Sequence, residues 1–80
     1  MKLTPRTFRL NIIELCEGGA NQNDISDYIY NAFRAVKRTP KNLEIMDHES
    51  RDAGMIYAMY IHNKEEFYKL KHYLLKEEER

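Results

Sequence analysis

The chain has 80 residues, 42% hydrophobic and 32% charged, and its 13 basic and 13 acidic side chains cancel to zero net charge. That length supports one core, so a single domain over 1–80 is expected; balanced charge gives no overall pull toward nucleic acid or membrane. The lone cysteine, Cys16, excludes an internal disulfide and fits a reducing, cytoplasmic setting.

The charge is not evenly spread. Residues 1–41 carry seven basic and four acidic groups, and residues 42–80 carry six and nine. No apolar run approaches the roughly 18 residues of a membrane helix, and the polar start of the chain does not read as a secretory leader. No membrane association is expected.

The first helix is expected to start at Thr4-Pro5, where a hydroxyl caps free amides and proline suits the first helical position. It runs to about Glu17, and Gly18-Gly19 supplies the left-handed ending. Phe8, Ile12, Leu15 and Cys16 form one stripe, widened by Leu10 and Ile13, so this helix belongs at the centre of the fold. The second helix is expected to be capped by Asn23 or Asp24 and to reach Arg38. Ile25, Tyr28, Ile29, Ala32, Phe33 and Val36 supply its apolar stripe. Thr39 before Pro40 disfavours further helix.

Beyond Pro40 the period shortens to two. Leu43 and Ile45 flank Glu44 as a short strand, 47–54 reads as a polar connection, and 55–61 reads as a second strand. Asn63, with Glu66 in capping-box spacing, opens a third helix carrying Phe67, Leu70 and Leu74, with Tyr68 and Leu75 on a narrower stripe. Its acidic end, about 76–80, sets negative charge against the helix dipole and is expected to fray. The expected fold is therefore α+β, in the order α-α-β-β-α: a two-stranded antiparallel hairpin packed with three helices.

Such a hairpin is apolar on both faces. With Ile56, Ala58 and Tyr60 turned to the helices, Met46, Met55, Tyr57, Met59 and Ile61 form a second face. The third helix, a second copy of the chain or a larger protein could each cover it. Methionine and tyrosine suit an adaptable recognition surface. The function expected from this is a small non-enzymatic protein-interaction module, homodimeric or bound to a larger partner, acting as a regulator or inhibitor.

An alternative centres on the basic side of the second helix. Tyr30, Arg34, Lys37 and Arg38, with Lys41, offer cations for phosphates and a ring for stacking. The segment 10–38 also resembles a helix-turn-helix: Ile25, Ser26, Ile29 and Val36 fall at its apolar and small positions, and a following hairpin would be the wing of a winged-helix regulator. It departs from that pattern at Tyr30-Asn31, where a turn glycine is usual. The resemblance implies a nucleic-acid-binding regulator.

Other chemistry finds little support. His48 sits among Asp47, Glu49 and Asp52 in what reads as a polar loop, without paired ligand spacing, and His62 and His72 are isolated. Cys16 lies on an apolar stripe beside Glu17, a poor setting for a nucleophile. Gly18-Gly19 follows no strand and lacks a phosphate-loop pattern. No catalytic residue, metal or cofactor is expected.

Overall fold

A computed structural model describes residues 4–77. It contains four helices in the order α1 (Pro5–Glu17), α2 (Gln22–Phe33), α3 (Pro40–His62) and α4 (Lys64–Glu77). No strand occurs among the described residues, so the α+β expectation and its hairpin are corrected: residues 43–61 lie within one continuous helix. The expected fraying at 76–80 falls largely outside the described residues.

Local chemistry sets the helix ends. The Thr4 hydroxyl accepts from the Thr7 amide at 3.1 Å, and Pro5 opens α1. At the other end Gly19 adopts φ +90°, a conformation costly for other residues, and the Ala20 amide donates back to the Leu15 carbonyl. Helix α2 starts two or three residues earlier than the expected cap at Asn23 or Asp24. Its cap is Asn21, which accepts from the Asp24 amide at 2.9 Å while Asp24 accepts from the Asn21 amide at 3.0 Å, a complete capping box.

The Thr39-Pro40 pair, expected to disfavour further helix, starts one instead. Thr39 accepts from the Asn42 amide at 3.2 Å, and Pro40 occupies the first turn of α3. Within α3 the expected polar connection supplies side-chain pairs at helical spacing: Arg51 with Asp47 at 3.3 Å and His48 with Asp52 at 3.5 Å. The inward stripe is Met46, Glu49, Ala53, Ile56 and Tyr60, at steps of three and four. A charged residue in its middle broke the pattern. Asn63 then interrupts the helix and caps α4, accepting from the Glu66 amide at 3.3 Å.

The core is built from Phe8, Ile12, Ile13 and Cys16 of α1, Ile25 of α2, Ala53 and Ile56 of α3, and Phe67 and Leu74 of α4. Helix α1 touches all three others and has the central place its wide apolar stripe implies. Phe8 stacks on Tyr28 and Phe33 at 5.6 and 5.2 Å, which fixes α2 against α1. Across α1 and α3, Arg9 reaches Glu49 at 3.1 Å and Asp52 at 2.8 Å. Glu49 is only 5% exposed, and its Oε2 has no hydrogen-bond partner among the described residues. Lys71 of α4 binds Glu17 at 2.9 Å, closing the far end of α1.

Candidate nucleic-acid interface

Helix α2 ends at Phe33, and residues 34–39 carry the chain into α3. Two contacts shape this connection. The Val36 amide donates to the Phe33 carbonyl at 3.1 Å, and the Asn42 side chain donates to the Lys37 carbonyl at 3.0 Å. Val36 is half-buried, whereas Arg34, Lys37, Arg38 and Lys41 are all exposed. The basic residues read as the back of one long helix therefore straddle a helix end, a connection and the start of α3. Tyr30 is 66% exposed, one turn before Arg34 on α2.

These cations stand apart electrostatically. Tyr28 through Leu43 contains four of them and no carboxylate. Among the described residues none of the four is in an ion pair, and Arg38 makes a contact of 3.7 Å to the Met46 sulfur. Elsewhere Arg9, Arg51, Lys69 and Lys71 are paired with carboxylates, and Lys64 lies over the Tyr60 ring at 4.4 Å. Beyond the cations, α3 presents Lys41, Glu44, Ile45 and His48 from its first turns. These are all exposed and share an arc of about 100° at helical spacing. Amides at a helix start also favour anions nearby.

The opposite end of α2 has the other sign. Glu14, Asp24 and Asp27, with Asn11, Leu15 and Tyr28, line an open groove of about 690 Å³ between α1 and α2. The side-chain amide of Asn11 donates to the Tyr28 hydroxyl at 2.8 Å, joining the two helices along this groove. Acidic and basic ends are thus separated by roughly 18 Å of helix, at 1.5 Å per residue.

The residues expected to form one apolar hairpin face are divided by the helix. Steps of two become turns of about 200°, so neighbours in that series land on different flanks. Met55 and Met59 line a depression of about 200 Å³ with Arg9, Asp52, Ile56 and Leu70. Tyr57 and Ile61 lie on the other flank, half-buried and exposed respectively, and Met46 is half-buried at the edge of the inward stripe.

The remaining candidates sit as follows. Donor atoms of His48, Glu49 and Asp52 lie within 4.8 Å of one another, but the Arg9 guanidinium already sits on both carboxylates. Cys16 is buried, and burial, with Glu17 adding to it, pushes its thiol above the ordinary value of 9.0. His62 and His72 are exposed. No helix among the described residues is long and apolar enough to cross a membrane. Comparison with known protein families, curated proteins and solved structures found no match in any of the three.

Proposed function

We propose that this protein binds double-stranded DNA through the junction of α2 and α3. The observation that carries the reading is charge segregation: a neutral chain keeps Arg34, Lys37, Arg38 and Lys41 exposed and, among the described residues, without an ion pair in one short stretch. Cations gathered in one short exposed stretch raise a local positive potential that attracts anions. Phosphates are such anions, and contacts to them fix register on a duplex while base edges carry specificity.

The helices support a matching division of labour. Two helices joined by a connection allow the first to cross the backbone while the start of the second enters the major groove. Here the second is α3, and Lys41, Glu44, Ile45 and His48 are the side chains aimed outward at its start. The six-residue connection, 34–39, is longer than the three or four of the compact motif, and three of its residues, Arg34, Lys37 and Arg38, are cations. A β wing has no part in this reading.

The test is fluorescence anisotropy of labelled duplex DNA with the wild-type chain and with Arg34→Glu/Arg38→Glu. Binding by the first, and loss of it by a folded second, supports the proposal. Equal binding by both overturns it.

A further inference from the structure

The groove between α1 and α2 joins an apolar wall to charge that the chain leaves unanswered. Leu15, Ala20 and Tyr28 line it beside the exposed carboxylates Glu14, Asp24 and Asp27. Among the described residues none of these three is in an ion pair. Asp24 accepts from the Asn21 amide, which leaves its charge in place. Glu14 is the least expected of them. It sits in the last turn of α1, where a carboxylate opposes the helix dipole. Glu17 of the same turn is answered by Lys71 at 2.9 Å. Glu14 has no such cation among the described residues.

The complementary set is on the same chain. Arg34, Lys37, Arg38 and Lys41 are exposed, and Tyr30 before them is 66% exposed. Arg34, the nearest cation in sequence, lies seven residues beyond Asp27, about 10 Å along the chain at helical rise. None of the four lines the groove of its own chain.

We infer that the groove of one copy receives the basic junction of another. Tyr30 meets the apolar wall, and the cations meet Glu14, Asp24 and Asp27. Two matches favour a second copy as the occupant: unpaired cations against unpaired carboxylates, and an exposed tyrosine against an apolar wall, with tyrosine and arginine the side chains that most often anchor interfaces. The contact is head to tail. Each pairing leaves a free groove at one end and a free junction at the other, so further copies add until a ring closes or a filament runs on. The pairing stands without the DNA reading. Where both hold, they compete, because a junction seated in a groove has no cations left for phosphates.

Sedimentation equilibrium of the full chain without DNA tests the pairing on its own terms. It compares about 0.01 M with about 1 M salt, where the screening length falls from roughly 30 to 3 Å. The wild type is expected to gain mass with concentration at low salt and to lose that gain at high salt. Glu14→Gln/Asp27→Asn and Arg34→Gln/Arg38→Gln, each alone, should weaken association about tenfold or more. Mixed in equal amounts, the two variants keep one intact groove and one intact junction between them, so they should form a one-to-one complex that grows no further. Circular dichroism serves as the folding control. A wild type that stays monomeric at low salt into the hundreds of micromolar overturns the inference. Variants that associate like the wild type overturn it too, as does a mixture no more associated than its parts. DNA is absent throughout, so a failure to bind duplex leaves this result as it stands.

Discussion

Arg9 on α1 and the pair Arg34 and Arg38 after α2 carry the same guanidinium in opposite surroundings. Arg9 is held between Glu49 and Asp52, at 3.1 and 2.8 Å, and joins α1 to the middle of α3. Arg34 and Arg38 meet no carboxylate among the described residues and are exposed. The first arrangement spends charge on the fold, since the buried carboxylate needs its cation. The second leaves charge uncommitted, where only a partner can use it. The contrast separates residues whose loss should unfold the chain from residues whose loss should silence it.

The largest expected effect breaks the first region. Arg9→Leu leaves Glu49 buried without its cation and should cost about 3 kcal/mol of stability in urea unfolding. Pairing it with Glu49→Leu removes the stranded charge and should recover most of that loss. Full additivity of the two losses would show that the ion pair is not what couples the sites. Next comes the second region. Arg34→Glu/Arg38→Glu should change stability by no more than about 0.5 kcal/mol, yet weaken DNA binding by at least about 1.4 kcal/mol, a factor of ten.

Smaller effects sharpen the picture. Asn21→Ala removes the side-chain half of the α2 capping box and should cost about 1 kcal/mol, with DNA affinity little changed because the basic junction lies at the other end of that helix. The Cys16 thiol gives the mildest dependence. Its folded pKa lies above the unfolded one, so it contributes nothing below the ordinary thiol value. As pH rises past 9.0 the unfolded chain ionises first, and stability should fall. A Cys16→Ala chain should lack that alkaline loss, read by thermal melts across the range.

Three of the four helices were legible in the chain because their signals are local. Thr4-Pro5, the Gly18-Gly19 ending and the stripe from Ile25 to Phe33 all lie within a few residues of what they specify. Helix α3 was not legible as a helix, for two physical reasons. Its inward stripe contains Glu49, whose burial depends on Arg9, 40 positions away. Its second half is apolar on the core side and also on both flanks, so 55–61 looks like an uninterrupted hydrophobic run. Gly54 deepened the misreading, since an exposed mid-helix glycine resembles a turn.

The basic residues themselves were visible from the start, but not their arrangement. Read as one helix to Arg38, they form a ridge on its back. With α2 ending at Phe33, they gather instead around the entry to α3. The end of α2 was obscured because the apolar stripe continues through Val36, which is half-buried beyond the helix. The five residues of the expected hairpin face were read at period two, and the helix separates what that period had joined.

The most direct measurement is the salt dependence of DNA binding, with log K followed against log salt for the wild type and for Arg34→Glu/Arg38→Glu. Four phosphate contacts per chain predict a wild-type slope of about −3 to −4 per bound chain. The variant, at any affinity still measurable, should show a slope shallower by roughly two. A flat wild-type slope, or one that the substitutions leave unchanged, would contradict the assignment of the α2–α3 junction to DNA.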